Sequence, residues 1–139
     1  MSDQPVIIIT GSSRGIGKSA ALLLASRGYR VIVSSRNQDS CQAVVDEITA
    51  SGGQATAIAC HIGHEDQLSG LIEQTLAKHQ RIDGLVVNAA SNPVYGPSDQ
   101  VEQAAFDVIM RNNVYASMRL AHLARPALKA SGLGAVVFV

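Results

Sequence analysis

Short apolar runs of strand length alternate along this chain with longer segments whose apolar residues recur at helical spacing. The first run, Val6 to Thr10, is followed by a helix pattern from about Gly15 to Ser26. There Ile16, Ala20, Leu23 and Leu24 repeat, and Gly28 supplies a C-terminal stop. Arg30 to Ser34 reads as a buried strand through Val31, Ile32 and Val33, and about Gln38 to Ser51 as a helix with Val44, Val45 and Ile48 on its apolar face, ended by Gly52-Gly53. Ala55 to Cys60 predicts a third strand, Glu65 to His79 a helix carrying Leu68, Leu71, Ile72 and Leu76, and Gly84 to Asn88 a fourth strand. A long segment from about Ser98 to Lys129 predicts a helix with Phe106, Ile109, Met110, Leu120 and Leu123 facing inward, and Gly134 to Val139 opens a fifth strand. Regular strand-helix alternation with right-handed crossovers leads to a parallel sheet covered on both faces, a doubly wound α/β fold.

Composition narrows the functional classes. At 139 residues, 47% of them hydrophobic, the chain has material for one core, so residues 1–139 are expected to form one domain. Formal net charge is zero, Lys and Arg are scattered, Trp is absent and aromatics make up 4%, which argues against a nucleic-acid partner. The longest apolar runs, Val6 to Ile9 and Val136 to Val139, are too short to cross a bilayer, so no membrane role is expected. Met1-Ser2-Asp3-Gln4-Pro5 lacks a basic leader segment, and Cys41 and Cys60 fit reduced thiols; both observations predict a cytoplasmic protein.

The candidate chemistry begins directly after the first strand, in Thr10-Gly11-Ser12-Ser13-Arg14-Gly15-Ile16-Gly17. A glycine turn between a buried strand and a helix start offers unpaired N–H groups to a pyrophosphate. Gly11 makes the turn, Gly15 lets the backbone approach phosphate, and Gly17 lets helix and strand pack closely. With that loop after the first strand, the expected strand order is 3-2-1-4-5, incomplete on the C-terminal side relative to the full 3-2-1-4-5-6 arrangement, and the last strand is expected to leave a weak exposed edge. Gly17-Lys18-Ser19 imitates the end of a nucleoside-triphosphate loop, but that motif needs glycine where Ser12 stands, and no apolar strand ends in an aspartate placed for magnesium.

The second strand ends in Ser34-Ser35-Arg36-Asn37, where an NAD-binding domain carries an acidic residue for the ribose hydroxyls. Without that carboxylate a 2′-phosphate meets no repulsion, and the planar guanidinium of Arg36 can pair with it while Arg14 approaches from the loop. The expected cofactor is therefore NADP(H), with NAD(H) ranked second.

Thr10-Gly11-x-x-x-Gly15-x-Gly17, Asn88-Ala89-Ala90 after the fourth strand and Asn113 in the long helix together resemble the short-chain dehydrogenase/reductase family. The turn Arg36-Asn37, Cys60-His61-Ile62-Gly63 and Asn92-Pro93 look most like its NADP-dependent carbonyl reductase branch. The resemblance covers essentially the whole chain and implies a Rossmann-type sheet. It also implies an oxidoreductase that moves hydride between nicotinamide and a small carbonyl or alcohol substrate. By position it implies that Asn88 stabilises the central sheet, that the Asn88-Ala89-Ala90 backbone passes under the cofactor ribose, and that Asn113 is the catalytic asparagine whose helix distortion leaves a carbonyl to hold a water. Asn112 leaves that register ambiguous by one residue, and the pair is a poor helix interior, which predicts a local irregularity. His61 stands where many relatives carry an aspartate that accepts from the adenine amino group; a neutral imidazole substitutes as acceptor only in the right tautomer. The candidate cofactor-binding residues are Gly11, Ser13, Arg14, Gly15, Ile16, Gly17, Ser35, Arg36, Asn37, His61, Ile62, Asn88, Ala89 and Ala90.

The family's serine after the fifth strand, and its tyrosine with a lysine four residues later, are not among these residues. Tyr115 and Arg119 imitate the pair on the wrong helix, and arginine does not give up its proton at neutral pH, so they are expected to serve packing or subunit contact. Cys60, His61, His64 and Glu65 can each bind metal, but Cys60 is expected to point into the core and no second histidine follows at zinc-protease spacing, so no metal is expected. His79 and His122 read as surface residues. Two functions remain: the cofactor-binding part of an oxidoreductase cut off before its catalytic residues, or a short form that binds dinucleotide or a partner without catalysis. Subunit pairing is expected through the helix near residues 101 to 128, with Val114, Met118 and His122 as its stripe, and Ser91 to Pro97 is expected to wall the substrate pocket.

Overall fold

The computed structural model describes residues 3–139. Among these, β1 (Val6–Thr10), β2 (Arg30–Ser34), β3 (Gln54–Ala57), β4 (Gly84–Val87) and β5 (Ala135–Phe138) form a parallel sheet in the order β3-β2-β1-β4-β5. The helices are α1 (Gly15–Ser26), α2 (Gln38–Ala50), α3 (Glu65–His79), α4 (Gln103–Met110) and α5 (Ala116–Ser131).

Alternation within the strands divides the core into two layers. Ile9, Val31, Val33 and Ala57 pack with Ala21, Ala25 and the α2 residues Cys41, Val44, Val45 and Ile48 on one face. Val6, Ile8, Ile32, Leu85 and Val87 pack with α3 and α5 on the other. Successive strand side chains point to opposite faces, so a run such as Ile7-Ile8-Ile9 feeds both layers, and each fully buried Ile or Leu contributes roughly 1.5–3 kcal/mol. No helix among the described residues is long and apolar enough to cross a membrane.

Several local expectations need correction. The buried stripe of α1 is Gly17, Ala21 and Ala25, while Ile16 and Leu23 are exposed, because small residues let the helix lie close to the sheet. β3 stops at Ala57, although the Ile58 and Cys60 N–H groups still donate to the Val33 and Ser35 carbonyls at 3.0 and 2.8 Å. β4 ends at Val87, one residue before Asn88. The segment expected to be one long helix is a 3₁₀ turn at Ser98–Gln100, then α4, a π-helical stretch at Arg111–Tyr115, and α5. Phe106 and Met110 on α4 are exposed, not inward.

His79 is not a free surface residue. Its Nδ1 accepts from Arg30 at 3.1 Å and its Nε2 lies 3.2 Å from Thr56 Oγ1, tying the end of α3 to β2 and β3. Asp83, just before β4, is buried; it accepts from the Val6 N–H at 2.7 Å and from both Nε and Nη2 of Arg81 at 2.8 and 2.7 Å. β5 is exposed along its whole length, as expected for an edge.

Candidate functional site

The sheet brings the glycine loop, the end of β2 and the segment after β4 together along one edge. Thr10, almost fully buried, is the junction. Its hydroxyl accepts the N–H groups of Asn88 and Ala89, each at 3.0 Å, and the Asn88 amide donates to the Thr10 and Gly11 carbonyls at 3.2 and 3.1 Å. Asn88 therefore locks the end of β4 to the loop. The sequence places Thr10 at the head of the glycine motif; that its hydroxyl joins the loop to the end of β4 is visible only in the structure.

The loop glycines differ in what surrounds them. Gly11 has φ 64°, and a Cβ there would lie 2.9 Å from Ala89 Cα. At Gly17 a Cβ would overlap the Gly11 carbonyl and sit 2.7 Å from Asn88 Nδ2. Gly15 has φ 57° with nothing within 4 Å of a Cβ, so the space above it is open to a ligand. Arg14 caps α1 with no side-chain hydrogen bond, which leaves the first-turn N–H groups around Ile16 and Gly17 directed outward at the positive end of the helix. Ser12 is fully buried: its N–H donates to the Ser34 carbonyl at 3.0 Å, its hydroxyl donates to the Ile9 carbonyl at 2.7 Å, and the Ser34 N–H donates to that hydroxyl at 2.9 Å. Lys18 pairs with Glu47 on α2 at 2.7 Å and is turned away from the loop, unlike the lysine of a triphosphate cradle.

Arg14 and Arg36 are both exposed, and neither guanidinium has a hydrogen bond or ion pair among the described residues. Ser13 is half-buried beside Arg14. The Ser35 hydroxyl lies 3.1 Å from Cys41 Sγ. Asn37 caps α2, its Oδ1 accepting the Ser40 N–H at 2.9 Å, so its side-chain oxygen is already committed.

His61 follows the end of β3, half-buried, with Nδ1 accepting the Gly63 N–H at 3.0 Å. That bond engages Nδ1 as an acceptor within the turn His61-Ile62-Gly63. Burial lowers the His61 pKa, and the neighbouring His64, Arg36 and Arg111 charges lower it further against a hydrogen bond from the ring to the His61 backbone, which raises it. Ile62 packs against the core beside α3. Cys60 points inward, and burial together with the Asp66 charge pushes its thiol up to about 11, which keeps it an inert thiol. No group of three or more His, Cys, Asp or Glu residues among the described residues is arranged to hold a metal.

Across the loop after β4, two consecutive asparagines converge on Ser91. Asn113 Oδ1 accepts the Ser91 N–H at 2.8 Å and its Nδ2 donates to the Ser91 carbonyl at 2.9 Å, while Asn112 Nδ2 donates to the Ser91 hydroxyl at 2.9 Å. Both lie in the π-helical stretch, a form of helix that gathers at functional sites. The Asn113 carbonyl accepts the Ser117 hydroxyl at 2.8 Å. Ala89 is half-buried and Ala90 exposed along this strip. Tyr115 and Arg119 both turn to Glu65 at the start of α3, Tyr115 Oη donating at 3.2 Å and Arg119 Nε forming an ion pair.

An open, parallel, doubly wound sheet with a glycine loop after its first strand and open space above Gly15 is the frame of a Rossmann-type protein. The family model for short chain dehydrogenases matches residues 5–139, and the chain belongs to the short-chain dehydrogenase/reductase family. It is 37% identical over 134 residues to dehydrogenase/reductase SDR family member 4 of Mus musculus, covering 96% of this chain and 48% of that protein. Among solved structures, a metagenomic short-chain oxidoreductase in complex with NADP superposes with a TM-score of 0.90 at 35% identity, covering 96% of this chain and 61% of that one. A 7α-hydroxysteroid dehydrogenase complexed with NADH and 7-oxo glycochenodeoxycholic acid gives 0.92 at 36% identity, covering 99% and 53%. The chain spans about half the length of the curated relatives it matches.

Proposed function

We propose that this chain is the cofactor-binding part of an NADP(H)-dependent oxidoreductase that moves hydride between nicotinamide and a carbonyl or alcohol substrate. The observation that carries the reading is the open space above Gly15 together with two exposed guanidiniums, Arg14 in the loop and Arg36 after β2, that form no hydrogen bond or ion pair among the described residues, and the lack of a carboxylate in Ser34-Ser35-Arg36-Asn37. The residues fit such a group: a pyrophosphate accepts the first-turn N–H groups of α1, and a 2′-phosphate lies between the arginines. The nicotinamide supplies the hydride when bound. Gly11, Gly15 and Gly17 give it close approach, and the strip from half-buried Asn88 and Ala89 to exposed Ala90 offers small side chains beneath a ribose. Asn113 positions this strip by holding Ser91, and its backbone carbonyl is the group proposed to hold a water.

Dinucleotide binding without catalysis by these residues is the second reading, favoured by the engagement of Tyr115 and Arg119 with Glu65. Pairing of two copies is proposed through the exposed stripe Phe106, Met110, Val114 and Met118, which are 53, 41, 51 and 63% exposed at helical spacing. A cytoplasmic location is proposed, supported by the two buried free cysteines Cys41 and Cys60.

Titration of the purified chain with NADPH, followed by nicotinamide fluorescence, tests the proposal. Saturable binding that ATP with magnesium does not displace is expected; magnesium-dependent ATP binding without NADPH binding contradicts it.

A further inference from the structure

β3 and β4 are separated in the sheet by β2 and β1, so the sheet itself does not join the turn that follows β3 to the loop that follows β4. The π-helical stretch does. Asn112, buried within it, stands between the two segments: its Nδ2 donates to the Ser91 hydroxyl at 2.9 Å, and its Oδ1 lies against Gly63, where a Cβ would be only 2.9 Å away. Resting on the dinucleotide reading above, we propose that Asn112 is a positioning residue that couples the two sides of the cofactor groove. Filling the adenosine side then tightens the hold on Ser91 at the other.

Each side is tied down separately. In a doubly wound sheet the adenosine ribose sits at the end of the second strand, here at Arg36, and the exit of β3 is bonded to that segment. The Cys60 N–H donates to the Ser35 carbonyl at 2.8 Å, while Gln38 at the start of α2 donates to the Ala57 carbonyl at 3.2 Å and accepts the Ala59 N–H at 2.9 Å. The turn beyond is closed by the His64 N–H on the His61 carbonyl at 3.0 Å. Glycine at position 63 lets this turn rest on the asparagine amide, since a side chain would hold the two apart. On the other side Ser91 is held by all three of its polar groups, the N–H and carbonyl by Asn113 and the hydroxyl by Asn112.

A buried amide packed against two chain segments passes a shift of one to the other, because close-packed interiors deform little. The clamp on Ser91 has two states that one amide reports. Closed, the Ser91 N–H is bonded to Asn113 Oδ1; open, it exchanges with solvent. A ligand at Arg36 orders the turn after β3, and through Asn112 it favours the closed clamp. The factor by which Ser91 exchange slows is the coupling between the two sides.

The test follows hydrogen exchange of the Ser91 and His64 N–H groups by NMR in the full chain, with and without saturating adenosine 2′,5′-bisphosphate, and repeats it in Asn112→Val and Ser91→Ala. Expected in the unmodified chain is slowing of both amides, by about fivefold or more at Ser91. In either variant His64 still slows with ligand, and the slowing at Ser91 is lost. The two substitutions cut one bond from opposite ends, so their combination adds nothing further, and Ser91→Ala decides the matter if Asn112→Val does not fold. A Ser91 N–H indifferent to ligand in the unmodified chain overturns the proposal. So does slowing that survives the substitutions, as it would if the bond served stability alone or the ligand touched the loop directly. Failure of the bisphosphate to bind overturns the dinucleotide reading and the coupling with it, whereas binding without effect at Ser91 overturns only the coupling.

Discussion

The side-chain amide of Asn113 grips the main chain of Ser91 at both of its polar groups, accepting from the N–H at 2.8 Å and donating to the carbonyl at 2.9 Å. One residue of the π-helical stretch thereby fixes the course of the loop that leaves β4. Asn113→Ala removes both bonds and is expected to cost about 1–3 kcal/mol in denaturant unfolding. Asn113→Asp keeps one bond and sets a carboxylate oxygen against the Ser91 carbonyl, so it is expected to cost at least as much. A loss near zero for both variants would show that the clamp does not order the loop.

Gly15 and Gly17 are expected to separate ligand binding from stability. Gly17→Ala drives a methyl group into the Gly11 carbonyl, backbone that cannot move aside, and is expected to lower stability by about 1–3 kcal/mol. Gly15→Ala meets no atom and carries only the strain of its positive φ, about 1–2 kcal/mol, while its methyl enters the space proposed for phosphate. NADPH titration beside thermal unfolding checks the contrast: Gly15→Ala stays folded and binds at least tenfold more weakly.

The sheet order, the two-layer core and the glycine loop were legible because each follows from short-range pattern: apolar runs, helical spacing and glycines at a strand-helix junction. What was not legible depends on contacts between distant residues. Helix propensity flagged an irregularity at Asn112-Asn113, but nothing in the sequence could say that both side chains reach Ser91. His79 looked like a surface residue because its partners Arg30 and Thr56 are far away in the chain. Phe106 and Met110 fit a helical period as well as any core pair, and periodicity does not say which apolar face meets a partner. The bond from the Gly63 N–H to His61 Nδ1 depends on a local turn that the sequence does not display.

Asp83 is a buried carboxylate that accepts from Arg81, from the β1 backbone at Val6 and from the Ser131 side chain. Burial raises its pKa, but the hydrogen bonds from Arg81 and the Val6 N–H outweigh it and hold the carboxyl below its usual 3.8. Its contribution is present above that value and is lost as pH falls through the folded-state value. Asp83→Ala, which strands Arg81 and the Val6 N–H, is expected to cost about 2–3 kcal/mol at pH 7, and less at pH 3. Equal losses at the two pH values would contradict the account.

Burial, with the Arg30 and Lys78 charges adding to it, lowers the His79 pKa from 6.5. The folded state then binds fewer protons than the unfolded chain below that value, so stability is full above about pH 6.5 and falls as pH drops beneath it. His79→Gln is expected to flatten the dependence of the unfolding midpoint between pH 7.5 and pH 5. A slope unchanged by the substitution would assign the effect to other groups.

The central claim is that the end of β2 selects the phosphorylated cofactor through Arg36. The most direct measurement is the ratio of NADH to NADPH dissociation constants for the chain and for Arg36→Asp. The account predicts a ratio above one for the unmodified chain, falling by about tenfold or more when the cation becomes an anion. A ratio that stays the same after the substitution would contradict it.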